Sequence, residues 1–297
     1  IVCCFVSRLS SIGTTRQLGF TAQSGGVSSD KHQARNWMRE LDLICTDLDG
    51  TVFGQTPRVE ELSHLSNLMR RCAQQWRTRW VIATARPMKD LRPALHELLT
   101  FGMAPHYVIT EDALIYERRR SGGFSPFWLW NLNIIFQRFS AGRKSVRHVS
   151  AWRSEIQTMF PSARNMSEQT VDLWLEFDSE NDAERAEIIL RDRVADTAHF
   201  DVFRWGCELF LAPAAGTKGQ ALRKLMSKLG IDQRRVLAIG DGPNDISMLD
   251  GSAAGLPACV GNALPHVKDV VTEAGGYVCE NDDAGGVIEA LQICVGS

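Results

Sequence analysis

Apolar residues in this chain gather into short runs that end abruptly in polar chemistry, separated by longer stretches with helical spacing. Leu41-Asp42-Leu43-Ile44-Cys45-Thr46 runs into Asp47-Leu48-Asp49-Gly50-Thr51. A short apolar run bounded in this way predicts a strand buried on both faces, with the chemistry where the chain leaves the sheet. The plan recurs in Arg79-Trp80-Val81-Ile82-Ala83, which leads to Thr84-Ala85-Arg86. It recurs again in Val236-Leu237-Ala238-Ile239, which leads to Gly240-Asp241-Gly242-Pro243-Asn244-Asp245. Between the first two runs, Val59, Leu62, Leu65, Met69, Cys72 and Trp76 return every three or four residues, as one buried helical face requires. Strand, helix and strand in this order imply a right-handed crossover and parallel neighbours. The fold class is therefore α/β with a parallel-sheet core.

The pattern changes from about residue 106 to 212. His106-Tyr107-Val108-Ile109-Thr110 reads as a strand and 114–117 as a short one. An aromatic stretch follows, with Phe124, Phe127, Trp128, Trp130, Phe136 and Phe139, then Arg143, Lys144, Arg147 and His148. Residues 171–177 alternate apolar and polar, 181–194 read as an amphipathic helix, and 199–204 and 208–211 as a strand pair. Antiparallel strands with helices on one side describe a small α+β unit. The expected organisation is a leader over 1–40, a core in two parts over 41–105 and 213–297, and an inserted α+β cap over 106–212. The aromatic and basic run admits a nucleic-acid surface, a helix buried by its aromatics, or cations that reach an anionic substrate. The balanced charge favours the buried helix.

Composition narrows the classes. Of 297 residues, 44% are hydrophobic and 23% charged, as in a globular protein with a substantial core. A net charge of −2 makes no case for nucleic acid or an acidic membrane surface, and no apolar run is long enough to span a bilayer. The eight cysteines form no Cys-x-x-Cys pair, and several lie in strand-like runs, which favours a reducing, cytoplasmic setting over a zinc site or disulfide framework. Residues 1–29 contain no acid and are rich in Ser, Thr, Gly and Gln. Such a leader fits either an organelle transit segment or residues outside the working protein, with a start at Met38; the second is our expectation. Oligomeric state is not legible.

The candidate chemistry sits at the strand ends. Residues two apart in a strand share a side, so Asp47 and Asp49 can both face the crevice at the sheet's carboxyl edge. Paired carboxylates stay ionised readily only near a cation, and hard oxygen donors suit Mg²⁺. An acidic turn after a strand is the plainer reading of Asp-x-Asp-Gly alone. Thr84 fits either a helix cap or, with nearby backbone N–H groups, a phosphate site. Lys218 stands at the start of a helix, where a cation opposes the dipole; a phosphate at the same spot would reconcile it. Asp241 and Asp245 add a second acidic strand end. Asn244-Asp245 alone would pass for a cap, but two such ends together supply several oxygens for one hard cation.

Taken together, these four stretches resemble the haloacid dehalogenase superfamily of phosphohydrolases. Its first motif is matched by Asp47-Leu48-Asp49-Gly50-Thr51, its second by Thr84, its third by Lys218 and its fourth by Gly240-Asp241-Gly242-Pro243-Asn244-Asp245. The insert resembles the type IIB cap. Lys218-Gly219-Gln220-Ala221-Leu222 and Val260-Gly261-Asn262-Ala263 resemble the Cof-type and sucrose-phosphate-phosphatase-like members. Glu111-Asp112-Ala113 departs from their Asn-Gly-Ala at the cap entrance. The resemblance implies a Rossmann-like core and a Mg²⁺-dependent phosphatase of a small phosphate ester, a sugar phosphate first. It implies Asp47 as nucleophile and Asp49 as general acid and base. It assigns Mg²⁺ to the Asp47 and Asp241 carboxylates and the Asp49 carbonyl, with Asp245 orienting that shell. Thr84, the Ala85 backbone, Lys218 and Asn244 would hold the phosphoryl group. A phosphomutase is the alternative, and a non-catalytic metabolite-binding protein is disfavoured because no essential acid or lysine is missing.

Overall fold

The computed structural model describes residues 40–54, 59–166, 173–195, 200–213 and 216–295, so the leader lies outside the described residues. In chain order the elements are β1 (Leu43–Thr46), α1 (Val59–Trp76), β2 (Arg79–Ala83), α2 (Met88–Thr100), β3 (Tyr107–Thr110), β4 (Leu114–Arg118), β5 (Phe124–Pro126) and α3 (Trp128–Met159). There follow β6 (Arg164–Asn165), β7 (Leu173–Glu176), α4 (Glu180–Ala195), β8 (Phe200–Trp205) and β9 (Glu208–Pro213). The chain closes with α5 (Lys218–Leu229), β10 (Val236–Gly240), α6 (Ile246–Leu249), β11 (Leu256–Cys259), α7 (Pro265–Glu273), β12 (Tyr277–Val278) and α8 (Asp283–Val295).

Among the described residues these strands form two sheets. The larger has the order β12-β11-β10-β1-β2-β3-β4-β5. Pairing is parallel from β12 to β3 and antiparallel through β4 and β5. This is a Rossmann-like α/β sheet with an antiparallel edge. β1 and β10 are buried along their whole length, as their unbroken apolar runs require. The chain leaves β1 toward β2 on one side and returns by β10 on the other. The crevice at the carboxyl ends of β1 and β10 is thus a topological switch point, where open α/β sheets bind ligands. Register sets Thr46 opposite both Ile239 and Ile82, which brings Ala83 level with Asp47 and Thr84 one residue beyond it.

The smaller sheet, in the order β6-β7-β9-β8, is antiparallel and has its own core from Leu173, Leu175, Val202, Leu209, Ala186 and Leu190. In β7 burial alternates with half-exposure, the period-two pattern of a strand with one wet face.

Two expectations need correction. The insert was expected to open at residue 106, yet β3, β4 and β5 pair into the large sheet. The apolar β3 belongs between β2 and β4. Glu111 and Asp112, at φ 50° and 60°, then reverse the chain tightly enough for β4 to return along it. The chain leaves the large sheet only with α3. The aromatics of that helix were also expected to be buried. Phe127 is, but Trp128, Phe136 and Phe139 are exposed. Side-chain contacts of Arg143, Lys144 and Arg147 lie outside the described residues, and exposed His148 stacks on Trp152. Helix α3 is long enough, at about 1.5 Å per residue, to serve both cores. Ile134 packs with Ala113 and Leu114, and Val149, Trp152 and Ile156 join the smaller core.

Candidate active site

Each strand end delivers its side chain through a local device. Asp47 follows β1, and its N–H donates to Ile239 O at 2.9 Å, which extends the β1–β10 ladder up to the carboxylate. Gly50 then turns the chain at φ 75°, and a β-carbon there would run into the Asp241 carboxylate. Only glycine combines that backbone with that approach. Thr51 closes the contact by donating its hydroxyl to Asp241 Oδ1 at 2.7 Å.

Lys218 opens α5 behind the capping residue Thr217. Gly219 lets the helix lie against the Ser247 backbone, where no β-carbon would fit. The lysine side chain is wholly buried. Its Nζ donates to Asp47 Oδ1 at 2.8 Å and to Asp245 Oδ1 at 2.6 Å, and stands 4.0 Å from Asp112 Oδ1. The cation that opposed the helix dipole is thus offset by carboxylates. Asp245 is fully buried, and its second oxygen accepts the N–H groups of Asp241 and Gly242 at 2.9 and 3.0 Å. It shapes the turn after β10 while it holds Lys218.

Asp47, Asp241 and Asp245 each bring a carboxylate oxygen within 4.8 Å of the others. Burial pushes the Asp47 carboxyl well above the usual carboxylate range; Asp245 adds to the rise and Lys218 opposes it. Burial, reinforced by Asp245, pushes Asp241 up to about 7. Burial on its own would depress Lys218, but Asp245, Asp47 and Asp112 hold it well above its ordinary value. Were all three carboxyls ionised, one lysine would leave an excess of negative charge in this largely buried cluster. A hard divalent cation such as Mg²⁺ suits that donor set.

The other expected residues sit around this cluster with partners of their own. Asp49 is turned to Arg86, which grips both carboxylate oxygens, Nε to Oδ2 at 2.8 Å and Nη2 to Oδ1. Thr84 is buried, its hydroxyl accepts the Arg86 N–H at 3.1 Å, and half-buried Ala85 lies between them. Asn244, on the turn Pro243–Asp245, donates to Asp112 Oδ1 at 3.1 Å. Burial raises Asp112, with Lys218 and Asn244 pulling it back. Arg138 of α3 donates to Glu111 O at 2.8 Å and Gly216 O at 3.0 Å, which ties both chain crossings beside the site.

Sequence reasoning gave no role to Arg86, Thr51 or Arg138. A signal for Arg86 existed: a cation two residues past Thr84, at the end of the strand beside β1, is within reach of a β1 acid. Nothing local marked Arg138, whose partners lie 27 and 78 residues away.

A family model described as haloacid dehalogenase-like hydrolase matches residues 106–291. A phosphoglycolate phosphatase of Methanothrix thermoacetophila is 44% identical over 75 residues, 25% of this chain and 31% of that protein. The match spans about a third of the length of the first such relatives. The 5-amino-6-(5-phospho-D-ribitylamino)uracil phosphatase of Bacillus subtilis is 24% identical over 268 residues, 85% of this chain and 95% of that one. The solved sucrose-phosphatase of Synechocystis, in complex with sucrose and phosphate, shares the fold with a TM-score of 0.60 at 22% identity, covering 86% of this chain and 97% of that one. The family match covers Lys218 and the acids after β10, and more than half of the chain. On that ground the chain belongs to the haloacid dehalogenase-like hydrolase family.

Proposed function

We propose that this chain is a Mg²⁺-dependent phosphatase that hydrolyses a phosphomonoester of a small metabolite, a sugar phosphate first, through an aspartyl phosphate. The observation that carries the reading is the buried Lys218 joined to both Asp47 and Asp245 at the crevice where Asp241 also arrives. A purely structural ion pair would not require three carboxylates around one lysine at a switch point. Three relatives are phosphatases by name, which supports the same class of reaction.

In this reading Asp47 and Asp241, with the Asp49 carbonyl, would hold Mg²⁺, and Asp245 keeps the Asp241 turn and Lys218 in place. The ion would supply positive charge against the phosphoryl oxygens and ease the approach of one anion to another. Phosphoryl transfer asks mainly for positioning and charge neutralisation. Lys218, Asn244, the Thr84 hydroxyl and the Ala85 N–H orient the phosphoryl group. Asp47 attacks phosphorus as the bond to the alcohol oxygen breaks. Asp49 delivers a proton to that oxygen, then takes one from the water that attacks the aspartyl phosphate, and Asp47 and inorganic phosphate are released. The lobe around the smaller sheet serves as a lid that excludes bulk water and selects the alcohol.

The test is a panel of phosphorylated metabolites scored for phosphate release with Mg²⁺ and with chelator. Metal-dependent release from one or a few esters is expected. No release from any of them with Mg²⁺, or equal release in chelator, overturns the reading.

A further inference from the structure

Helix α3 carries an exposed apolar stripe that neither core uses. Trp128 is 66% exposed, Leu129 89%, Leu132 55%, Ile135 50% and Phe136 68%. The steps from 128 to 132 to 135 are four and three, and those from 129 to 132 to 136 are three and four. Both keep to one side of a helix.

The exposure does not come from a loosely placed helix, because the opposite side is fastened at each turn. Asn131 lies against β4 like a strand partner, its Oδ1 accepting from Ile115 N at 2.9 Å and its Nδ2 donating to Ile115 O at 3.0 Å. Trp130 Nε1 donates to Ala113 O at 2.8 Å, Ile134 is buried, and Arg138 reaches Glu111 O and Gly216 O. These anchors set the rotation of the helix about its axis. With Asn131 facing in, the five apolar residues face out.

We propose that a second copy of this chain covers the stripe, with the two α3 helices paired across a twofold axis. Three features favour that occupant. From Phe127 to Phe139 the chain holds one charged residue, Arg138, and it points inward. An uncharged stripe can meet its own image without like-charge repulsion, as an isologous contact requires. The size also fits. Side chains of this kind expose on the order of 100–150 Å² each. Five of them offer roughly 500–750 Å² per copy, approaching the ~800 Å² per partner of a standard interface. Finally, Trp and Phe are among the side chains in which interfaces are enriched.

Sedimentation of the full chain tests this. The expected species has twice the 33.1 kDa chain mass, at concentrations up to about 100 μM, where even a micromolar Kd gives mostly dimer. Leu132→Glu/Phe136→Glu should weaken association at least about 100-fold, since each copy then meets two like charges in an apolar contact. Its far-UV circular dichroism and any phosphate release should stay at the unmodified level, because neither residue touches the site. A monomeric unmodified chain at the top concentration overturns the proposal, whatever else covers the stripe. A dimer that survives the double substitution, or a monomer that instead pelts down with vesicles of neutral and anionic phospholipid, overturns it as well.

Discussion

Replacing Lys218 by methionine tests the charge arrangement of the site without relying on any substrate. Its Nζ lies 2.8 Å from Asp47 and 2.6 Å from Asp245, with none of the side chain exposed. At an effective dielectric of about 20, each contact represents roughly 6 kcal/mol of raw attraction. Desolvation of the three groups offsets most of that, and removing one partner of a buried pair typically costs about 3–5 kcal/mol because the other charge is stranded. Methionine retains the apolar stem, so lost packing adds little.

Here the stranded partners are acids, which can escape by taking up protons. Burial already holds Asp47 well above the usual range, and Lys218 opposes that rise. Without the lysine the folded-state pKa climbs further above the unfolded value of about 3.9. A carboxyl raised in the folded state favours folding fully below its unfolded pKa and loses that contribution as pH rises through the folded one. The deficit of Lys218→Met must therefore grow with pH. At about 2–4 °C per kcal/mol for a chain of this size, Tm should fall by roughly 6–20 °C near pH 8. Near pH 5.5 the fall should be less than about half as large. Thermal melts followed by circular dichroism in chelator measure both. A Tm within a degree or two of the unmodified chain at both pH values, or a loss that shrinks as pH rises, would refute the reasoning.

Three further outcomes bear on the proposed chemistry. Asp47→Asn should abolish phosphate release while circular dichroism stays unchanged; full turnover would remove Asp47 as nucleophile. Arg86→Gln should lower kcat by about 10- to 100-fold, part of the roughly 10²–10⁴-fold that a general acid supplies. Because the Arg86–Asp49 pair is partly exposed, Tm should hardly move. Arg86→Lys should restore little, since an ammonium cannot grip both oxygens; an unchanged kcat in either variant would show that the pair does not position Asp49. Mg²⁺ should raise Tm, and more near pH 8 than near pH 6, because Asp241 at about 7 must release its proton to bind a cation. A Mg²⁺ shift that is absent, or larger at the lower pH, would contradict an Asp241 ligand.

The strand ends were legible because burial on both faces leaves a plain mark in one dimension. β1, β2 and β10 are mainly apolar, almost wholly buried runs, and each stops where its functional residue begins. Lys218 was visible as a local inconsistency, a cation at a helix start, which its acidic neighbours resolve. The edge hairpin was misassigned for a matching reason. β4 and β5 are short and progressively exposed, and strands of that kind look alike in either sheet.

The rest belongs to tertiary structure. Arg86 reaches Asp49 across 37 residues, and Lys218 reaches Asp47 across 171, distances over which no periodicity carries information. The outward aromatics of α3 follow from Asn131 and Arg138 docking on backbone atoms of other segments, which fixes a rotation that composition alone leaves open. Local physics chose which segments become strands and helices and where their chemistry lies. Which acid faces which cation, and which side of a helix stays bare, was decided only when distant segments packed and every buried charge had to find a partner.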